Sequence, residues 1–246
     1  MILSKPYEKI QEILEYYNIT NNGIITFSIL KKELWLYNAK YWRKKLEEKQ
    51  ILIKVEKDIY LIDTKNNNSV AELIHKYMKY KSLSYYLWWL SLFNSYWLTT
   101  QLSNQYIVFN SNINKYITIL NNSVILKKIN NIELIWITVL DSWKNSLDYE
   151  RLLIEIIERW NKYLDIEEIK LYFNNLDEKR LNKEKLIDYS KQFWDIILRK
   201  VLAILEYKWM SINEYIKDIK VKSPISLLRR NRKGKIIKTV NVILDF

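Results

Sequence analysis

The sequence of residues 25–62, ITFSILKKELWLYNAKYWRKKLEEKQILIKVEKDIYLI, changes its hydrophobic period partway along. Apolar residues first recur at helical spacing, which predicts helices over residues 27–34 and 38–49. β-branched and aromatic residues then flank Glu56-Lys57-Asp58, which predicts two short strands joined by a turn. A further helix is predicted over residues 5–17. The order helix, helix, helix, hairpin is typical of a winged helix-turn-helix.

The ends of these predicted helices carry residues suited to capping. Thr26 or Ser28 is the expected N-cap of the helix over residues 27–34, because a hydroxyl can accept a hydrogen bond from a free backbone N–H of the first turn. A short break is predicted at Trp35–Tyr37, followed by a helix with Asn38 as its cap.

The helix predicted over residues 38–49 has the two faces that a DNA recognition helix needs. Ala39, Trp42 and Leu46 share one face and can pack on the preceding helices. The other face can reach the major groove and the phosphates. The alternative is a solvated basic face on a module that binds no DNA. The candidate DNA-binding residues in this part of the chain are Thr26, Ser28, Asn38, Lys40, Tyr41, Arg43, Lys44, Lys54 and Lys57.

The polar, Asn-rich segment around residues 65–69 predicts a linker between a domain of residues 1–64 and a domain of residues 70–246. Beyond the linker the pattern predicts helical structure over 70–93, β-like runs at 105–110, 116–129 and 132–140, helices at 149–164, 166–175 and 183–207, and a last strand within 238–246. The predicted fold class is therefore α+β, with an N-terminal winged helix-turn-helix followed by a mixed α/β domain of several helices on a small sheet.

The charge balance of the chain indicates a polyanionic partner. The 246 residues include 40 Lys and Arg against 28 Asp and Glu, a formal net charge of +12. The densest basic block is residues 217–238. Three interpretations of this block are open: a contact with phosphate, a docking site for an acidic partner, or a solvated hairpin. The candidate residues of this patch are Arg229, Arg230, Arg232, Lys233 and Lys235.

Three counts exclude much of enzyme chemistry. The chain has 0 Cys, so disulfides, thiolate catalysis and cysteine-bound metals are excluded. It has 1 His, His75, so a multi-histidine metal site is excluded as well. Its 2 Gly lie far apart, which excludes phosphate-binding glycine loops. We therefore expect no catalytic residues, no metal, no cofactor and no enzymatic activity.

Two groups of residues nevertheless invite a functional interpretation. Carboxylates at Asp141, Glu155 and Glu158 could serve a nucleic-acid enzyme, but those beside Arg151 and Arg159 are interpreted as ordinary surface ion pairs. The aromatic residues of the apolar stretch SYYLWWLSLF, residues 84–93, could stack on single-stranded bases. A helix in the core or at a subunit interface is the favoured interpretation of that stretch.

The apolar runs are too short for a transmembrane helix, and the N-terminus becomes charged at once, unlike a signal peptide. We expect a cytoplasmic protein with no membrane partner. The sequence leaves the formation of a homo-oligomer open.

The order of these segments resembles the AbiEi-like antitoxins of type IV, abortive-infection toxin–antitoxin systems. Residues 25–62 match the family's winged helix-turn-helix, and their hairpin KDIYLI keeps Tyr60 but lacks the family's glycine. Residues 82–110 are similar to the opening of the family's second domain, without its proline. Residues 223–246 look like the family's end, with a Leu-Leu pair, a basic segment with one Gly and a final strand.

The resemblance implies a transcriptional regulator that binds double-stranded DNA and autoregulates its operon. It further implies that the C-terminal domain counters a cognate toxin of the nucleotidyltransferase type. The alternative is a non-enzymatic interaction or assembly module of a mobile element, whose winged helix contacts protein.

Overall fold

The computed structural model describes residues 5–65, 67–88, 105–130, 134, 137–140, 144–163, 166–217, 219, 223–228 and 234–245. The chain has an α+β fold, as predicted, with helices and several small sheets. It divides into two compact units. The described residues up to Ser146 form the first unit, and those from Leu147 onwards form the second.

The first unit opens with three helices and a three-stranded antiparallel sheet. Its first elements are α1 (Lys5–Thr20), β1 (Ile24–Thr26), α2 (Phe27–Leu34), α3 (Leu36–Glu48), β2 (Leu52–Glu56) and β3 (Ile59–Ile62). The helices and the hairpin are confirmed, and β1 is an additional strand that pairs with β3 to give the order β1-β3-β2.

Helix α2 has the predicted bounds, and the hydroxyl of Thr26 caps it by accepting a hydrogen bond from the N–H of Ile29. Helix α3, however, begins at Leu36, so the predicted cap at Asn38 is wrong: Asn38 lies in the first turn. A single residue, Trp35, joins the two helices with a φ of 65°, and its carbonyl accepts from the N–H of Ala39 at 2.9 Å. Bulky residues rarely adopt positive φ, which is why the sequence pattern predicts a longer break.

The turn between β2 and β3 lies where it was predicted, and Asp58 takes a φ of 63° in it. Asp and Asn adopt this left-handed conformation more readily than other non-glycine residues. The carbonyl of Asp58 also accepts a hydrogen bond from the N–H of Phe27 at 2.9 Å. Asp58 therefore forms the turn without glycine and ties it to the start of α2.

The rest of the first unit is a helix, a second sheet of four strands, and strands that belong to a separate two-stranded sheet. Its elements are α4 (Val70–Tyr80), β4 (Tyr85–Trp88), β5 (Gln105–Asn110), β6 (Lys115–Ile119), β7 (Asn122–Lys128) and β8 (Ile137–Leu140), and β9 (Lys144–Leu147) leads into the second unit. The sheet order is β4-β5-β7-β6, with β5 and β7 parallel.

The helix predicted over residues 70–93 is wrong at Tyr85–Trp88, because these residues form strand β4. The side chains of Tyr85, Tyr86 and Trp88 in β4 are nevertheless buried, which agrees with the core alternative of the prediction rather than with a subunit interface. Residues 89–93 lie outside the described part of the chain.

The first sheet is buried on both faces, which is why the predicted boundary at residues 65–69 does not separate the units. Ile25 and Tyr60 pack with α1–α3, whereas Ile24 and Leu61 pack with α4 and the second sheet. The described residues at the end of the predicted linker make specific hydrogen bonds. Buried Asp63 accepts from the backbone N–H of Asn68, and Ser69 caps α4.

Glu56 joins three elements of the first unit. At the end of β2, it accepts hydrogen bonds from the hydroxyl of Tyr77 in α4 and from Lys115 at 2.9 Å in β6, and Lys81 lies 3.2 Å away. Burial raises the pKa of Glu56, but these hydrogen bonds outweigh burial and hold the pKa below its usual value. The charged form of Glu56 therefore stabilises the folded state.

We expect Glu56→Gln to lower the free energy of unfolding at pH 7 by about 1.5–3 kcal/mol, because charge-assisted hydrogen bonds are lost. The wild-type contribution should be present above the ordinary glutamate pKa of about 4.3 and lost as the pH falls below it. Urea unfolding at pH 7 and at pH 3.5 measures both effects. The variant should match the wild type more closely at the lower pH, whereas the control Glu48→Gln, at an exposed position, should change little at either.

The second unit has the elements α5 (Tyr149–Tyr163), α6 (Ile166–Asn174), α7 (Lys183–Gln192), α8 (Asp195–Tyr207), α9 (Asn213–Ile216), β10 (Ile225–Ser226), β11 (Lys235–Ile237) and β12 (Val242–Leu244). Its sheet has the order β10-β12-β11. The single helix predicted over residues 183–207 is two helices, because the backbone of Trp194 is extended and the second helix begins at Asp195.

The ion pairs of α5 lie in the core of the second unit. The side chains of Arg151 and Glu155 are 0% exposed, and Glu155 bridges Arg151 at 2.5 Å and Arg159 at 2.7 Å. The guanidinium of Arg151 also stacks on the ring of Phe193, 4.6 Å from its centroid. The interpretation of these residues as surface pairs is therefore wrong, since apolar residues surround them on α5.

Candidate nucleic-acid interface

The two faces predicted for α3 are confirmed by burial. Ala39 and Leu46 are buried in the core formed with α1 and α2, and Trp42 packs against the same core. Lys40, Tyr41 and Lys44 are exposed. The amino group of Lys44 approaches Glu48 only at 4.0 Å, and both side chains are largely exposed, so this pair leaves Lys44 available to a ligand.

Arg43 differs from the other candidate cations because it is held by its own chain. Its guanidinium lies 3.2 Å from the carboxylate of Glu47 and 5.4 Å from the ring centroid of Phe27. Burial raises the pKa of Tyr60, and the charge of Arg43 acts in the opposite direction. Arg43 therefore contributes to the packing of α3 against Phe27 at the start of α2, in addition to any contact with a ligand.

The start of α3 carries exposed aromatic side chains, of which Trp35 and Tyr37 were predicted to lie in a break and Tyr41 in the helix. Trp35 is 83% exposed, Tyr37 is 85% exposed and Tyr41 is 54% exposed. Adjacent large apolar side chains at the surface often mark an interaction site. The sequence signal was available, since Tyr37 and Tyr41 are four residues apart and share one side of a helix that begins at Leu36.

Cations lie on the neighbouring elements as well. Lys54 is exposed on β2, and Lys57 is exposed in the turn between β2 and β3. Lys31 and Lys32 are exposed in the last turn of α2. They are not among the DNA-binding candidates predicted from the sequence. They add positive charge to the helix that directly precedes α3.

The hydroxyls of Thr26 and Ser28 hydrogen-bond each other at 2.7 Å. Because Thr26 also caps α2, its hydroxyl is committed to holding the start of that helix. Ser28 is exposed and remains a candidate for a phosphate contact.

His75 lies on α4, away from any cluster of metal ligands among the described residues. Its Nδ1 is 2.7 Å from the hydroxyl of Tyr85. Burial, and secondarily the charge of Lys79, lowers the pKa of His75, so the neutral ring is favoured. These contacts give His75 a structural role.

The basic patch of the second unit is described only in part, since Arg229, Arg230, Arg232 and Lys233 lie outside the described residues. Lys235 opens β11, and its amino group lies 5.5 Å from the ring centroid of Tyr207 and 5.9 Å from that of Trp209. These residues line an open pocket of about 590 Å³. Trp209 is 91% exposed, so this pocket has an accessible aromatic wall.

Comparisons with known proteins give a fold and nothing more specific. No protein-family model matches the chain, and no curated protein matches it. The chain is similar to the crystal structure of the RV2827C protein from Mycobacterium tuberculosis, with a TM-score of 0.61 and 9% sequence identity. The similarity covers 96% of this chain and 91% of that one.

None of the helices in the described part of the chain has the length and apolarity needed to cross a membrane.

Proposed function

We propose that α1 to β3 form a winged helix-turn-helix that binds double-stranded DNA, with α3 as the recognition helix. The observation that carries this proposal is the exposed face of α3, which combines Tyr37, Lys40, Tyr41 and Lys44, while its opposite face is buried. The hairpin of β2 and β3 follows α3 directly and would serve as the wing.

The dimensions and charges of this surface support the proposal. An α-helix with its side chains is about 10–12 Å wide, and the major groove of B-DNA is about 12 Å wide. Lysines neutralise phosphates and release their counterions, which supplies most of the sequence-independent affinity. Lys40 and Lys44 are one helical turn apart on α3, and Lys57 lies in the turn of the hairpin.

We further propose that the chain is a transcriptional regulator of the AbiEi-like antitoxin type, as the resemblance of its sequence implies. In this role it would repress its own operon and counteract a nucleotidyltransferase-type toxin. The pocket beside Trp209 and Lys235 is a candidate surface for such a partner. A nucleotidyltransferase gene next to this one, whose product binds the full chain, would support this part of the proposal, and a neighbour of another class would count against it.

A protein-interaction module remains the second candidate function. The observation that favours it is the exposure of Trp35 and Tyr37, since aromatic residues are enriched at protein interfaces as well. A test of duplex DNA binding through α3 distinguishes the two functions, because only the DNA-binding function requires it.

We expect the double variant Lys40→Gln/Lys44→Gln to bind duplex DNA more weakly and with a shallower salt dependence. At about 0.9 per phosphate contact, the loss of two contacts reduces the slope of log K against log salt concentration by about 1.8. Fluorescence anisotropy across a salt series measures the slope. The matched control, Lys9→Gln/Lys79→Gln, removes the same charge from exposed positions on α1 and α4. Equal slopes for the two double variants would show that α3 does not contact the DNA.

A further inference from the structure

We propose that the exposed face at the start of α3 reads A·T base pairs, with the amide of Asn38 on adenine and the rings of Trp35 and Tyr37 against thymine methyl groups. This inference rests on the proposed DNA-binding function and specifies which bases that site recognises.

The side chains that carry the inference are close in sequence at the start of α3 and are accessible. Trp35 and Tyr37 are each more than four-fifths exposed, and Asn38 follows them in the first turn of α3 and is also exposed. Lys40 and Lys44, which continue along the same helix, are exposed cations. Their charge complements phosphate and makes a nucleic acid, rather than an apolar protein surface, the occupant of this face.

The chemistry of the major groove then selects the base pair. An Asn side chain can accept a hydrogen bond from adenine N6–H and donate one to adenine N7. Thymine places its C5 methyl group in the same groove, and apolar side chains gain by burying that methyl group. A G·C pair offers neither pattern, because guanine has two acceptors and cytosine lacks the methyl group.

The same chemistry distinguishes DNA from RNA. The major groove of A-form RNA is too narrow and deep for side chains to read, and uracil lacks the methyl group of thymine. The proposed ligand is therefore an A·T-containing segment of B-form DNA.

The experiment starts from a library of duplexes with a randomised central segment, selected for binding to the full chain. We expect enrichment of A·T pairs in the core of the site. In the selected duplex, replacing thymine by deoxyuridine removes only the methyl group, and replacing adenine by 7-deazaadenine removes only N7. We expect the adenine replacement to weaken binding at least about fivefold, since a good bidentate pair discriminates by that much or more.

Protein variants assign each effect to a side chain. In Tyr37→Ser the deoxyuridine effect should shrink or vanish, and in Asn38→Ala the 7-deazaadenine effect should vanish. The matched control Tyr16→Ser, at an exposed position on α1, should keep both effects.

The outcomes separate this inference from the function on which it rests. If duplex binding depends on Lys40 and Lys44, the proposed function stands. The inference is nevertheless overturned if the selected site has a G·C core or no enriched core, or if the base analogues have no effect. If no duplex is retained, or if the two lysines are irrelevant to binding, the proposed function fails, and the inference fails with it.

Discussion

Replacing Glu155 by alanine is expected to lower the free energy of unfolding of the second unit by about 3–5 kcal/mol. The reason is that Glu155 is buried between Arg151 and Arg159, and its removal takes away a carboxylate that lies 2.5 Å from the buried guanidinium of Arg151. A buried charge that loses its partner costs far more than an exposed one. Urea unfolding followed by circular dichroism measures the loss.

Two further variants identify the cause. Glu167→Ala removes a carboxylate that pairs with Lys170 but is 75% exposed, so its effect should stay within about 0.5 kcal/mol. Arg151→Met/Glu155→Met removes both buried charges, and this double variant should recover most of the stability. A double variant as unstable as Glu155→Ala would show that lost packing, rather than uncompensated charge, causes the effect.

Leu61→Ala is expected to destabilise the first unit by about 2–5 kcal/mol, because truncation of a buried leucine leaves a cavity. Leu61 is fully buried in β3, on the face of the first sheet that packs against α4 and the second sheet. The loss should therefore reach beyond the three helices and the hairpin. Hydrogen exchange of the amides of α4 and β5 measures this spread.

The control for this variant is Leu36→Ala, at a position that is 45% exposed, and it should change stability much less. A fragment of residues 1–64 should also fail to fold stably, since it would expose Ile24, Ile53 and Leu61. Two results together would support the domain boundary predicted from the sequence: a fragment of residues 1–64 that is stable and unfolds cooperatively, and hydrogen exchange in α4 that is unchanged by Leu61→Ala.

The sequence contained part of the information needed to find this two-faced sheet. Residues 59–62, IYLI, form a continuous apolar run, and such a run is typical of a strand buried on both faces. The polar segment at residues 65–69 predicted a linker because Asn and Ser favour loops. The same residue types also make local hydrogen bonds that order a chain: the side-chain amide of Asn68 donates to the carboxylate of Asp63, and the hydroxyl of Ser69 caps α4.

Other features could not be predicted from local patterns. The positive φ of Trp35 is a conformation that sequence rules assign to Gly or Asn, so the start of α3 was placed two residues late. The ion pairs of α5 were assigned to the surface because charged residues at positions i and i+4 form the same sequence pattern on an exposed helix and on a buried one. In contrast, the buried face of α3 was predicted correctly, since Ala39, Trp42 and Leu46 repeat at helical spacing.

The most direct measurement places a label on α3 and asks whether it touches DNA. Because the chain has 0 Cys, Tyr41→Cys offers one thiol for a benzophenone maleimide, and Ile19→Cys on α1 offers the control. Irradiation of labelled protein with duplex DNA should cross-link position 41 to bases within the site, and position 19 much less. Cross-linking that is equal at the two positions, or absent at position 41 while the labelled protein still binds the duplex, would contradict the assignment of α3 as the recognition helix.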